Sequence, residues 1–121
     1  MRSLVVDTYA WIAYFDKNNA FRNLIEENDL ETPAIVFAEL SRVFNRRRLS
    51  AAEIREALSV VESRSVIVTM DKERAEKGGE VAVKEGLALA DGIVYSHSSE
   101  EKEVLTGDEH FRGKKNVMFV K

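Results

Sequence analysis

Ser3-Leu4-Val5-Val6-Asp7-Thr8-Tyr9-Ala10-Trp11-Ile12-Ala13-Tyr14-Phe15 runs from a strand directly into a helix, with one acid at the junction. Leu4-Val5-Val6 is short, continuous and β-branched, which is how a strand covered on both faces reads. The same kind of run recurs at Val66-Ile67-Val68-Thr69, Val104-Leu105-Thr106 and Asn116-Val117-Met118-Phe119-Val120, with a weaker fifth strand at Leu30-Glu31-Thr32. Helical segments separate these runs. They are Thr8–Phe15 and residues 18–27, 33–47, 50–62, 71–85 and 87–98. The third opens on Pro33, where a first-turn proline loses no hydrogen bond. The fourth has Ser50 and Glu53 at capping-box spacing. Residues 71–85 are expected to break at Gly78-Gly79. Strands alternating with helices imply an α/β fold with a mostly parallel sheet and right-handed crossovers. Sites in such sheets form beyond the carboxyl ends of the strands.

At 121 residues, one domain spanning 1–121 is expected, large enough for a proper core. With 45% apolar and 32% charged residues the chain is not a disordered acidic or basic tail. No apolar run approaches ~18 residues, so no membrane span is expected. Asp7 sits inside the N-terminal apolar run, which a signal-peptide core would not tolerate. The absence of cysteine excludes disulfide scaffolds, thiolate zinc sites, iron–sulfur ligation and a cysteine nucleophile, and it fits a reducing, cytoplasmic compartment. A net charge of −3 argues against coating nucleic acid by bulk electrostatics but leaves room for a local grip.

Most of the 21 Asp and Glu residues lie in plainly solvated stretches such as Glu100-Glu101. Asp7, Glu39, Asp91 and Asp108 do not. Asp7 ends the first strand, and is either the N-cap of the following helix or a carboxylate presented at the strand's carboxyl edge. Glu39 borders the stripe Val36, Phe37, Leu40, Val43 and Phe44, and either pairs with Arg42 or Arg46 or turns inward. Asp91 shares a helix face with Leu87, Val94 and Tyr95, unless it caps a helix beginning at Gly92. Asp108 follows the strand Val104-Leu105-Thr106 beside Gly107, as a turn residue or a second strand-end acid. Carboxylates gathered in one place raise each other's pKa unless a cation holds them. Hard oxygen donors without histidine or cysteine point to Mg²⁺ or Mn²⁺.

Four segments resemble, in order, the motifs of a PIN domain, and within it the short VapC-type toxin ribonucleases. They are Leu4-Val5-Val6-Asp7-Thr8, Thr32-Pro33-Ala34 leading into Ala38-Glu39-Leu40, Leu89-Ala90-Asp91-Gly92-Ile93, and Leu105-Thr106-Gly107-Asp108-Glu109-His110-Phe111. No single motif is specific, but four acids in this order and setting are. The resemblance covers essentially the whole chain. It implies a three-layer α/β/α fold with a mostly parallel five-stranded sheet, a site for Mg²⁺ or Mn²⁺, and endonucleolytic cleavage of RNA. On this likeness Asp7, Asp91 and Asp108 hold the ion, and Glu39 holds a second ion or orients the attacking water. Thr8 and Thr106 would steady the carboxylates by hydrogen bonds. The implied partners are the RNA substrate, a second copy of the chain in a homodimer, and an antitoxin whose segment lies in a groove beside the site. The chain departs from the family at Gly92, where alanine is usual. It departs again at Ser96-His97-Ser98, in place of a small apolar run, and at Gly107, where a longer polar residue is common.

Thr8–Phe15 is apolar on every side for nearly two turns. A helix on a sheet buries only one stripe, so the remainder needs cover; residues 18–27 folding back would hide part of Trp11 or Phe15, and a second copy of the chain, with the antitoxin over what remains, is expected to cover the other aromatics. Arg42, Arg46, Arg47 and Arg48 form the dense basic cluster, read either as cations complementing a helix C-terminus or, for Arg42, Arg46 and Arg47, as RNA-phosphate contacts. His97 and His110, with no second histidine at ligand spacing, read as structural or surface residues. Two other functions fit the pattern less well. One is an RNA-maturation nuclease using the same acids. The other is a receiver-type phosphoacceptor domain, with Asp71 following Val66–Thr69 as the acceptor.

Overall fold

Five parallel strands form one sheet in the order β3-β2-β1-β4-β5 in the computed structural model, which describes residues 1–121. They are β1 (Ser3–Val6), β2 (Asp29–Pro33), β3 (Val66–Val68), β4 (Lys102–Thr106) and β5 (Val117–Phe119). α1 (Thr8–Phe15) and α2 (Asn19–Glu27) link β1 to β2, and α3 (Ala34–Arg46) and α4 (Ala51–Arg64) link β2 to β3. α5 (Lys72–Glu85) and α6 (Leu89–Tyr95) return to β4, and a 3₁₀ turn, Glu109–Phe111, leads to β5. The result is a three-layer α/β/α arrangement. After β1 the chain steps outward through β2 and β3, then crosses back to lay β4 on the other flank of β1. The boundary between β1 and β4 is therefore the topological switch point, where open parallel sheets hold their ligands. This order differs from the 2-1-3-4-5 order of receiver-type domains. Asp71 follows an edge strand and caps α5 through the Arg74 N–H, so the phosphoacceptor reading falls.

The two-sided burial expected of the strands holds for the central pair and fails at the edges. Leu4, Val5, Val6, Val104 and Leu105 are essentially fully buried. β3 carries the same β-branched residues but has one unpaired flank, and Val66 is exposed. Pro33 closes β2 and caps α3 from outside, rather than sitting in its first turn. The capping box of Ser50 and Glu53 forms.

Helix α1 finds most of its cover inside the chain, which corrects the expectation that its large aromatics need a second molecule. Trp11 is completely buried, and its Nε1 donates to Thr32 Oγ1 at 3.1 Å. Thr32 in turn meets the Ser65 hydroxyl at 2.8 Å, which donates to the Val61 carbonyl at 2.7 Å. This buried chain ties α1 to β2 and to the end of α4. Phe15 packs edge-on against Phe44 of α3 at 5.7 Å, and Phe21 of α2 covers Tyr9 at 5.8 Å. Of the α1 aromatics, Tyr9 alone stays exposed, at 47%.

The expected break at Gly78-Gly79 does not occur, and α5 runs unbroken. Gly78 serves close approach instead. A Cβ there would stand 2.4 Å from Ile93 Cγ1 on α6. Gly92 of α6 returns the contact, since a Cβ there would lie 2.4 Å from the Ala82 Cβ and 2.6 Å from its Cα. The two helices meet nearly backbone to backbone, and this fixes the height of α6 on the sheet.

Replacing Gly92 with alanine therefore drives a methyl group into backbone rather than into a flexible side chain. Overpacking of this kind costs about 1–3 kcal/mol. The better helix propensity of alanine returns at most ~1 kcal/mol. The urea midpoint of Gly92→Ala is expected to fall below wild type. An equal or higher midpoint would mean that α5 slides on α6 and does not set its position.

Candidate metal centre

Asp7 and Asp108 leave adjacent strands at their carboxyl ends. Val6 of β1 pairs with Leu105 of β4, and the Asp7 N–H reaches the Leu105 carbonyl at 3.5 Å. Asp7 is both things the sequence allowed. Its Oδ1 caps α1 by accepting the Ala10 N–H at 2.8 Å, and its carboxyl is buried at the switch point. Asp108 is half-buried and opens the 3₁₀ turn by accepting the His110 N–H at 2.9 Å. Its own N–H donates to the buried Thr106 hydroxyl at 3.0 Å.

Glu39 is reached from α1. The Thr8 hydroxyl donates to Glu39 Oε1 at 2.7 Å, and Glu39 makes no ion pair with Arg42 or Arg46. Asp91 is the third residue of α6, whose cap is Ala88, so a helix beginning at Gly92 is excluded. Leu87 lies outside that helix. The close packing of Gly92 on Ala82 holds the adjacent Asp91 toward the sheet.

The electrostatics report the crowding. The Asp7 carboxyl is pushed up to about 7, first by burial and then by the charges of Asp108 and Asp91. Hydrogen bonds from Thr106 and Ala10 offset only part of this. Asp91 is raised by burial, by Asp108 and by Glu39, with His110 pulling the other way. Asp7 and Asp91 thus both carry the charge of the neighbouring acids. The tightest set is Asp91, Asp108 and His110, whose donor atoms lie within 4.8 Å of one another. Asp7 lies deeper and Glu39 to the side. A buried carboxyl facing two more, all hard oxygen donors, fits a divalent cation better than it fits any pairing within the chain.

Sequence alone does not bring His110 to the centre, because no second histidine stands at ligand spacing. The signal was local: Asp108 caps a turn only three residues long, which folds the next-but-one side chain back onto the cap. His97 stays apart from the cluster, buried, with Nδ1 donating to the Ile93 carbonyl at 2.9 Å and burial lowering its pKa. The arginines divide. Arg47 is held by Asp16 through two contacts of 2.9 and 3.1 Å, whereas Arg42 and Arg46 are exposed and free of ion pairs. Arg46 follows Glu39 by two turns on the same face of α3, about 10 Å along the axis.

Residues 4–116 match the family model of the PIN domain. The chain belongs to the PIN domain family. Solved structures share this PIN fold. A toxin–antitoxin complex from Klebsiella pneumoniae aligns at 17% identity and TM-score 0.77, over 95% of each chain. VapBC2 from Rickettsia felis, crystallised bound to a DNA fragment from its promoter, aligns at 20% identity and TM-score 0.70, over 98% of this chain and 97% of that one. VapC20 of Mycobacterium tuberculosis, described as a sarcin–ricin loop cleaving toxin, aligns at 17% and TM-score 0.63, over 78% and 79%. No curated protein matches the sequence. Against the usual PIN pattern, Gly107 has a structural reason. A Cβ there would stand 2.4 Å from Tyr9 Cε1 and 2.7 Å from the Val120 carbonyl, so Tyr9 occupies the space of the longer side chain.

The two roles of Asp7 separate by substitution. Its folded pKa lies above the unfolded value near ~4, so this group supports folding fully at low pH and loses that support as pH rises through about 7. Asparagine keeps the helix cap and removes the charge, whereas alanine removes both. In chelator at pH 8, Asp7→Asn is expected to melt at or above wild type, with Asp7→Ala about 1 kcal/mol less stable than Asp7→Asn. Below pH 4 the advantage of Asp7→Asn over wild type should vanish. An advantage that persists there would take the charge out of the account.

Proposed function

We propose that the chain is a divalent-metal-dependent endoribonuclease acting as the toxin of a toxin–antitoxin pair. The observation that carries the reading is the convergence of Asp7, Asp91 and Asp108, with Glu39 beside them, at the switch point of a PIN fold. Likeness in fold to toxin–antitoxin complexes supports the biological role.

In this reading Asp7, Asp91 and Asp108 would hold Mg²⁺ or Mn²⁺, whose chemistry when bound would be to lower the pKa of water and offset charge on the phosphate. Glu39, fixed by Thr8, would orient the attacking water or help to hold a second ion. Thr106 pins the backbone of Asp108 and so the direction of its carboxylate. The products carry 5′-phosphate and 3′-hydroxyl ends. Arg42 and Arg46 extend the helix of Glu39 as a track for RNA phosphates, with Arg47 left to Asp16. The partners are a second copy of the chain and an antitoxin segment, seated along the exposed Tyr9 and the groove it shares with Ile12, Ala13 and Val43. The reaction takes place in the cytoplasm.

Purified protein should cut single-stranded or loop RNA with Mg²⁺ or Mn²⁺ and stop in chelator. Asp91→Asn should lower the rate at least ~10²-fold, the scale of losing one main electrostatic contributor. Wild-type activity in excess chelator removes the metal mechanism.

Replacing both Arg42 and Arg46 with alanine should weaken RNA binding and reduce the salt slope by about one unit per lost phosphate contact, whereas Arg47→Ala should leave the slope unchanged. An unaltered slope in the double variant returns both residues to solvent. Light scattering at micromolar concentration should read a dimer, and a monodisperse monomer would remove the second copy from the reading.

A further inference from the structure

His110 stands on a short turn that is pinned at both ends. Asp108 caps it, and Phe111, the residue after His110, is completely buried. The backbone of His110 therefore has little freedom, and its side chain projects beside the carboxylates while 77% exposed to solvent. Nδ1 lies 3.0 Å from Asp108 Oδ1, and a ring nitrogen lies within 4.8 Å of the Asp91 donor oxygen. Two ligands at right angles on an octahedral ion, each at about 2.1 Å, stand about 3 Å apart. The separation of His110 from Asp108 is that of neighbouring ligands. All three donor atoms lie within 4.8 Å of one another, against about 4.2 Å between opposite ligands on such an ion, and the exposed His110 side chain is the one with room to adjust.

We propose that His110 supplies an imidazole nitrogen to the divalent ion beside Asp91 and Asp108, and that this nitrogen gives the centre a preference for Mn²⁺ over Mg²⁺. The proposal rests on the metal-dependent reading above and adds a ligand to it. Binding needs the neutral ring with its lone pair toward the ion. The proton then sits on the other ring nitrogen, which the exposure of His110 leaves to water. Mg²⁺ is a hard ion that favours oxygen and gives up water reluctantly, whereas imidazole suits transition-metal ions, most of all Fe²⁺, Ni²⁺ and Zn²⁺; Mn²⁺ stands at the low end of that series and still accepts a nitrogen more readily than Mg²⁺ does. Exposure also means that removing the ring leaves the fold intact, because no buried contact depends on it.

Mn²⁺ itself is the probe. Wild-type protein loaded with one equivalent of Mn²⁺ should give the ¹⁴N modulation of a directly bound imidazole in pulsed electron paramagnetic resonance, and His110→Ala should lose it. Titration calorimetry should find Mn²⁺ binding at least ~10-fold weaker in His110→Ala, a loss that even outer partners of a ligand produce. Mg²⁺ affinity should change less than about twofold. Bound Mn²⁺ without ¹⁴N coupling in wild type overturns the proposal and leaves the metal nuclease standing. Coupling that survives in His110→Ala also overturns it, by assigning the nitrogen elsewhere. Failure of wild type to bind either ion overturns both the proposal and the reading beneath it.

Discussion

The buried carboxyl of Asp7 is the constraint around which the rest of the molecule is arranged. It lies at the carboxyl end of the central strand, where the neighbouring strand delivers Asp108 and α6 delivers Asp91. Such a group is tolerated because it is also useful locally. It accepts the Ala10 N–H and so starts α1, the helix whose Trp11 anchors the core. The fold thus places an unfavourable charge at the position where that charge does structural service. Burial and repulsion together favour the protonated form until a cation is present, and a cation restores the ionised form that both binding and capping use best.

Asp91, carried on α6, depends on a different kind of precision. Asp91 is one residue from Gly92, and Gly92 rests on the backbone of Ala82 while Gly78 rests on Ile93. Small residues on both helices bring α5 and α6 together closely enough that α6 has a defined height. Gly92 stands where the usual PIN pattern has alanine, and here the space of that methyl is filled by Ala82 of α5.

Much of this was legible in the chain itself. Continuous β-branched runs alternating with helical segments imply the parallel sheet, and the ends of α1 and the capping box of α4 follow from their residues. Asp7, Glu39, Asp91 and Asp108 stood out because each is a charge in apolar company. What failed to read had tertiary causes. Gly78-Gly79 resembles a break because glycine weakens isolated helices, yet here it admits a neighbouring helix. β3 and β5 look central by composition, because β-branched residues favour strands whether or not both flanks are paired. Trp11 looked uncovered because a sequence does not reveal that Thr32 and Ser65 wait to receive its N–H. His110 was legible only once the turn that returns it to Asp108 was known.

The parallel pairing of β1 with β4 has a bearing on how the molecule comes into being. The first strand is made about 100 residues before the partner on its far side. At ribosomal speeds of ~5–20 residues per second that interval is on the order of 5–20 s. Throughout it, the strand whose Leu4, Val5 and Val6 are to be fully buried has an open edge, and Asp7 has no Asp108 beside it. Whatever chemistry the centre performs, the nascent chain is without it until β4 and Asp108 have been made. A product truncated before that point lacks the centre for the same reason. Timing is thus written into the strand order.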